Sequence, residues 1–400
     1  MKKDWEVKKL GEVCEIVNGG TPDTKVPGYW DGEILWITPK DMGKLDSIFV
    51  DDTARKITDA GLKNSSAKKL PINSIILSSR APIGHLAVNT KEISTNQGCK
   101  GIIPKKVLLT LFLFYFLKNS VELLNSLGSG TTFKELSGSK LAEVKIPLPP
   151  LPEQQRIVAI LDEAFAAIAT AKENAAKNLQ NARSLFESHL ESVFTQRGEG
   201  WVEKPLGEVC ERITKGSSPK WQGIAYVDKP GVLFVTSENV GEYQILLEQP
   251  KYVEEKFNAK DKKSILKRGD VLTNIVGASI GRTAVFELDD VANINQAVCL
   301  IRCEPALLNN FFLTYLLNSP VFKQVLHDNE VNNARANLSL SFFSQLLVPM
   351  PQLSKQQEIV AKLDALREET QRLEVIYWQK LNDLDELKKS VLKKAFDGEL

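Results

Sequence analysis

The stretch Pro147-Leu-Pro-Pro-Leu-Pro-Glu-Gln-Gln-Arg-Ile-Val-Ala-Ile-Leu-Asp162 has a near copy at Pro349-Met-Pro-Gln-Leu-Ser-Lys-Gln-Gln-Glu-Ile-Val-Ala-Lys-Leu-Asp364. The chain is therefore a tandem duplication, and whatever fold one half adopts must also be available to the other. Each copy opens with prolines, which hold the backbone extended. It then releases the backbone into a segment free of Gly and Pro that runs to Arg197 in the first half and Asp397 in the second. The pattern predicts one uninterrupted helix in each. Pro152 suits a first helical position, with Glu153 beside the positive end of the dipole, and Ser354 with Gln357 matches a Ser-x-x-Gln capping box. Arg197 ahead of Gly198, and Lys393 and Lys394 ahead of Gly398, match the way helices end.

Apolar positions in the first helix fall at Ile157, Leu161, Ala164, Ile168, Ala171, Ala175, Ala182 and Leu185. The second repeats the register through Ile359, Leu363, Leu366, Leu373, Tyr377, Leu384, Leu387 and Val391. This four-three alternation is a coiled-coil seam. At about 45 residues and ~1.5 Å rise each, the helices reach roughly 65 Å. Alone, either could be a generic stalk; as a matched pair, one per half, they read as a spacer in which the two pack on each other.

Four hundred residues exceed what one core usually organises, and the repeat says how to divide them: globular segments at 1–146 and 199–346, long helices with their proline entries at 147–198 and 347–400. Each globular segment opens on a Trp and a shared phrase, Leu10-Gly-Glu-Val-Cys-Glu15 and Leu206-Gly-Glu-Val-Cys-Glu211, then a Gly-containing loop, Asn18-Gly-Gly-Thr-Pro22 and Lys215-Gly-Ser-Ser-Pro219. Buried strands are predicted at Ile34–Thr38 and Val232–Thr236, and at Ser74–Ser78 and Asp270–Asn274. Ile83-Gly84 and Ile280-Gly281 mark a turn, and Asn96-Gln97 and Asn295-Gln296 precede further strands. Apolar helices follow over Leu108–Leu124 and Leu307–Leu326. The fold class expected is α+β: two similar domains of twisted β-sheet plus helices, related by an internal pseudo-twofold repeat and separated by the two long helices.

Composition is that of a globular protein, 43% hydrophobic and 25% charged. No secretory or transit peptide is visible, and the apolar run Val107–Leu117 is too short to span a bilayer, so a cytoplasmic protein is expected. The five cysteines, at 14, 99, 210, 299 and 303, form no Cys-x-x-Cys pair, so no metal is expected, and Cys14 and Cys210 read as small core residues. Histidine occurs only at 85, 189 and 327, too sparsely to assemble a His-based catalytic site. No phosphate-cradling loop, dinucleotide fingerprint, nucleophile elbow or zinc-protease helix occurs. The Asn/Asp-Pro-Pro-aromatic tetrapeptide of amino-methylating DNA methyltransferases is missing too.

A net charge of +1 hides an asymmetry: residues 1–146 hold 21 Lys/Arg against 16 Asp/Glu, whereas 201–346 hold 16 against 17. The polar loops carry groups suited to base edges and phosphates, since Asn and Gln pair with adenine, Arg and Lys with guanine, and hydroxyls with phosphate oxygens. In the first half these are Lys25, Lys40, Ser79, Arg80, His85, Asn96, Gln97, Thr131, Thr132 and Lys134. In the second they are Lys215, Lys220, Gln222, Asn239, Asn274, Ser279, Arg282, Asn295, Gln296, Arg335 and Asn337. Taken singly, each fits a solvated or turn position as well as a base contact, and Trp221 and Tyr226 could pack in the core instead of touching DNA.

With these features assembled, the chain resembles, over its whole length, the specificity subunit of type I restriction-modification systems. The resemblance rests on the duplicated Pro-x-Pro-x-Leu-x-x-Gln-Gln-x-Ile-Val-Ala-x-Leu-Asp phrase, the Leu-Gly-Glu-Val-Cys phrase opening each half, and Ala395-Phe-Asp-Gly-Glu-Leu400. It implies two target-recognition domains separated by an antiparallel coiled coil, each reading half of an asymmetric bipartite site in double-stranded DNA. It further implies two modification (methyltransferase) subunits docked on the helices, and restriction subunits beside them. S-adenosylmethionine would belong to the modification subunits, ATP and Mg to the restriction subunits, and no cofactor to this chain. The competing readings are a self-sufficient DNA methyltransferase or nuclease, and a coiled-coil scaffold that binds only protein.

Overall fold

The computed structural model of the chain describes residues 5–130, 134–228, 231–330 and 336–400. It divides into two units, one of residues 1–175 with 379–400 and one of residues 176–378. The division cuts through the long helices, Leu151–Thr195 and Leu353–Asp397, each 45 residues and each beginning in one unit and ending in the other. Among the described residues no helix is long and apolar enough to cross a membrane.

In the first unit a five-stranded sheet runs in the order Cys14–Asn18, Cys99–Pro104, Ile75–Ser79, Ile83–Asn89, Phe49–Val50, antiparallel except for the last pair. Ile75, Ile76 and Leu77 are fully buried, as a continuous apolar run in a strand covered on both faces requires. A second sheet joins Arg55–Ile57, Trp30–Ile37 and Ile93–Thr95, the last two in parallel. The second unit repeats the plan. Cys210–Lys215, Val298–Cys303, Val271–Asn274 and Thr283–Val285 form one sheet, and Tyr226–Val227, Tyr252–Val253, Val232–Val235 and Ala292–Ile294 the other. The single sheet expected per half is thus two sheets and a ribbon. In that ribbon the proline entry is itself a strand, Lys145–Leu148 on Glu6–Lys9 and Leu347–Met350 on Val202–Pro205. Pro147 and Pro349 are tolerated because a two-stranded ribbon has free edges.

The apolar helix expected in each half is two helices, Thr110–Asn119 then Val121–Leu127, and Asn310–Asn318 then Pro320–Asp328. In the second half the break is chemical: Pro320 has no N–H to continue the ladder, and the Ser319 hydroxyl accepts from Phe322 N as the new cap.

The long helices start earlier than the capping motif predicts. The N–H groups of Glu153 and Gln154 donate to Pro150 O (2.9 and 3.1 Å), and those of Lys355 and Gln356 to Gln352 O (2.9 and 3.1 Å). Ser354 therefore lies inside the first turn and does not cap it, and Pro152 is the second helical residue. The first helix ends at Thr195, two residues before Arg197.

What the repeated phrase does is now visible. Gln154 has no exposed surface; its Oε1 accepts from Leu109 N (2.9 Å) and its Nε2 donates to Val107 O (3.0 Å) and Pro149 O (2.8 Å). Gln356 repeats this with Asn309 N (2.8 Å), Leu307 O (3.0 Å) and Pro351 O (2.9 Å). About two turns on, Tyr115 donates to Asp162, and Tyr315 to Asp364 at 2.5 Å. The phrase is a clamp that fixes each long helix to its own globular body.

The far ends of the helices dock as well. In the first unit Leu392, Ala395 and Phe396 of the second long helix enter the core, where Phe396 stacks edge-on against Phe112 and Phe116 at 5.2 and 5.6 Å. In the second unit Leu190 and Phe194 of the first long helix do the same, Phe194 meeting Phe312 at 5.5 Å. Within each unit the helices run antiparallel. Arg156 reaches Leu400 O and Lys172 pairs with Asp385 (both 2.7 Å) in the first, and Arg183 pairs with Glu374 (2.9 Å) in the second.

Two predicted seam residues are misplaced: Leu185 and Leu387 are 52% and 48% exposed. The buried stripe of the first helix runs Ile157, Leu161, Ile168, Ala175, Leu179, Ala182, Leu190, Phe194, with Phe186 partly buried. From Ala175 on it steps to Leu179, Ala182, Phe186, Leu190 and Phe194, wider on average than the 3.5 residues of a strict heptad, and so falls on Phe186 instead of Leu185. In the second helix Ile359 and Leu363 are buried and Leu366, Leu373 and Leu384 half-buried.

Candidate nucleic-acid interface

The loops singled out in the sequence are drawn together by close backbone approaches. A Cβ added at Gly19 would sit 1.9 Å from Asn96 O, and one at Gly216 1.8 Å from Ile294 O. In each unit the Gly-containing loop therefore presses directly on the Asn-Gln turn, which only glycine permits. At Gly98 two further segments meet this turn: an added Cβ would lie 3.0 Å from Pro39 Cγ and 3.2 Å from Arg80 Nε, as well as 3.2 Å from Asn96 Oδ1 of the turn itself.

Within this rim the asparagines build and the glutamines are displayed. Asn96 Oδ1 accepts from Gly98 N and Asn295 Oδ1 from Ala297 N, both at 3.0 Å, so each closes its own turn. Gln97 and Gln296 are exposed, with Gln97 accepting from the Thr21 hydroxyl. Asn239 is buried, its Oδ1 accepting from Thr236 N (3.0 Å) and its Nδ2 donating to Leu246 O (2.9 Å). Asn274 is fully buried, donating to Ser237 O (2.9 Å). Both are frame residues, contrary to the sequence expectation, because their amides serve loop carbonyls that no local pattern reveals. Ser79 is buried too.

Lys25, Lys40, Lys134, Lys215, Lys220 and Arg282 are exposed, and Arg80, Ser279 and Asn337 half-buried. An antiparallel bridge joins Arg80 to Glu135, and another joins Val276 to Asn337, bringing the segment after each helix pair onto the rim. Thr131, Thr132 and Arg335 lie outside the described residues. His85 belongs elsewhere: it lines a cleft of about 510 Å³ with Tyr115, Phe165 and Lys388, against the long helices. In the second unit the Gln222 amide donates to Ser217, which donates to Asp261, and Lys260 Nζ donates to Gln222 O (2.6 Å). On this braced turn Trp221 is 87% exposed, so it does not pack in the core. The cysteines stay inside: burial pushes the Cys14 and Cys99 thiols up to about 12, while Cys210 is only half-buried.

The model of the family described as type I restriction modification DNA specificity domain matches the chain twice, over residues 2–178 and 198–377. The chain belongs to this specificity family. It is 32% identical to the MjaIX specificity subunit of Methanocaldococcus jannaschii, across 75% of this chain and 76% of that one. It is 26% identical to the EcoBI specificity subunit of Escherichia coli, across 76% and 68%. Two solved structures share the fold at 22% identity. One is the HsdS subunit from Thermoanaerobacter tengcongensis (TM-score 0.67, covering 100% of this chain and 98% of that one). The other is a chain solved in work on complex assembly and conformational transition of the type I R-M system (TM-score 0.77, 100% and 99%). The specificity-family fold was legible in the repeated phrase. No sequence pattern marks Lys100 and Glu135, which stand beside Arg80 on the first rim, because one reads as a strand residue and the other as a surface carboxylate.

Proposed function

We propose that this chain is the sequence-reading, non-catalytic subunit of a cytoplasmic type I restriction-modification complex. The bodies within 1–146 and 199–346 each read one half of an asymmetric bipartite duplex site, and the helical segments 147–198 and 347–400 set the unread gap. The observation that carries this reading is one frame with two sets of rim side chains. At positions equivalent through the strand ladders and bridges, Asn18, Arg80, Lys100 and Glu135 in the first unit become Lys215, Val276, Cys299 and Asn337 in the second. A conserved scaffold with altered donors, acceptors and charges is what two readers of different base pairs need.

The rim residues offered to DNA are Lys25, Lys40, Arg80, Gln97 and Lys134 in the first body, and Lys215, Lys220, Gln222, Ser279, Arg282, Gln296 and Asn337 in the second. Two modification subunits dock along the helix pair and the domain edges. Reaching an adenine amino group requires flipping the base out of the stack, a task for those subunits and their S-adenosylmethionine. Restriction subunits supply the ATP- and Mg-dependent steps.

Mapping methylated adenines in a genome carrying this chain and its modification partner tests the reading: a single bipartite motif with a fixed gap is expected. The purified chain given labelled S-adenosylmethionine and duplex is expected to transfer no methyl group; transfer by the chain alone would make it an enzyme in its own right.

A further inference from the structure

In the first unit one charged cluster is held loosely. Lys100 lies on the inner strand Cys99–Pro104 with 7% of its side chain exposed, and its ammonium faces Glu135 Oε1 at 3.7 Å. Arg80 Nη1 stands 3.8 Å from the other oxygen of the same carboxylate. Both separations exceed hydrogen-bonding distance. One carboxylate thus stands between two cations and closes on neither. A lysine this far out of water is normally paired tightly, because desolvating its charge is costly. Lys100 and Glu135 line an open cleft of about 860 Å³ with Asn18, Ser129, Ser137 and Ser139, so hydroxyl and amide donors surround the excess positive charge.

The second unit shows that the fold does not require this cluster. The bridge Arg80 to Glu135 corresponds to Val276 to Asn337, and the ladder pairs Leu77 with Lys100 where the second unit pairs Thr273 with Cys299. The same frame closes there without a charge at any of the three positions. Across the ladder, exposed Lys215 faces Cys299 where the first unit has Asn18 facing Lys100.

We infer that Arg80 and Lys100 form a subsite for a backbone phosphodiester of DNA, and that Glu135 occupies this subsite in the free protein. The inference rests on the DNA-reading function proposed above. An arriving phosphodiester offers two anionic oxygens to the ammonium and guanidinium, and the carboxylate, already 43% exposed, turns out to solvent. Glu135 competes with every phosphate alike. It therefore weakens sequence-independent binding and leaves the advantage to a duplex whose base edges also fit.

The test is fluorescence anisotropy of the full chain across a salt series, on a duplex bearing the mapped site and on a scrambled one. Glu135→Gln should tighten scrambled-duplex binding roughly tenfold at low salt, the scale of one phosphate contact. Lys100→Gln should weaken both duplexes and flatten the log–log salt slope by about one. A merely structural ion pair would move both variants downward together; that result, or unchanged slopes, overturns the site. Should Lys100→Gln fail to fold, Glu135→Gln decides alone: tighter binding supports the site, and weaker or equal binding overturns it. If Lys220→Ala in the second unit flattens the slope while Lys100→Gln does not, the phosphate site fails and the DNA-reading function stands. If the parent chain itself binds neither duplex, or binds the mapped and scrambled duplexes equally at every salt, the DNA-reading function itself fails. Inorganic phosphate is titrated separately into the DNA-free chain. Stoichiometric binding lost in Lys100→Gln, with duplex binding intact, would assign the site to a free anion and overturn the DNA assignment.

Discussion

Gln154 and Gln356 each bury an amide that satisfies one N–H and two carbonyls of the main chain. Replacing either by Leu keeps the bulk and leaves those groups dry and unpaired, at about 1–3 kcal/mol. Urea unfolding should show that loss in Gln154→Leu and Gln356→Leu, and none in Gln155→Leu, whose side chain is exposed. Burial first, and then the hydrogen bond to Asp162 or Asp364, raises the Tyr115 and Tyr315 phenols above their ordinary value. A raised folded value means stability fully present below the unfolded pKa of ~10 and lost as pH climbs past it. Melting temperatures from pH 8 to 11 should therefore fall more steeply for the parent chain than for a Tyr115→Phe/Tyr315→Phe variant. The sequence made the Gln-Gln phrase conspicuous but not its purpose, because two of each glutamine's three partners are main-chain atoms 45 to 49 residues earlier that carry no side-chain signature. The cluster of Arg80, Lys100 and Glu135 was hidden for a related reason: three segments far apart in sequence meet only through strand pairing.

At the scale of the element, the long helices were readable from the missing Gly and Pro and from the seam, and their antiparallel direction only through the family resemblance. Leu185 and Leu387 went astray because a strict heptad template falls out of phase with a stripe whose steps are wider on average. Charge adds what the seam lacks. Lys172 and Glu374 hold equivalent places in the repeat, as do Arg183 and Asp385, and each ion pair joins a cation of the first helix to an anion of the second. A first helix laid antiparallel on a copy of itself would set Lys172 against Arg183. The helices are thus told apart by sign, the same device that sets partner choice in coiled coils. Lys172→Glu with Arg183→Glu should lower stability by about 1–2 kcal/mol, since exposed pairs contribute ~0.2–1 kcal/mol each and like charges cost a similar amount. Adding Glu374→Lys and Asp385→Lys should restore the melting temperature, and high salt should shrink both effects.

For the molecule as a whole, two frames with different rims predict exchangeable heads. Replacing residues 1–146 with the first recognition domain of another family member should change one half-site and leave the other. The graft must keep Phe112, Tyr115 and Phe116, the side chains that meet the long helices. Methylome sequencing reads the outcome, and simultaneous change of both half-sites would refute independent heads. Seven residues inserted after Ala175 and seven after Trp378 add two turns, about 10.5 Å, while nearly preserving the phase of the seam. The unread gap should lengthen by about three base pairs at ~3.4 Å each, with both half-sites unaltered. The division into units that cut across the helices was not legible in sequence, because a periodic stripe does not name its partner. That division also bears on the order of synthesis. Phe396 caps Phe112 and Phe116, so the body begun first on the ribosome holds an uncovered aromatic face until nearly 300 further residues have been made. A chain abandoned before residue 392 would carry that face into the cell unprotected, exposed to chaperones and proteases, and half-made readers would be cleared before they could engage DNA.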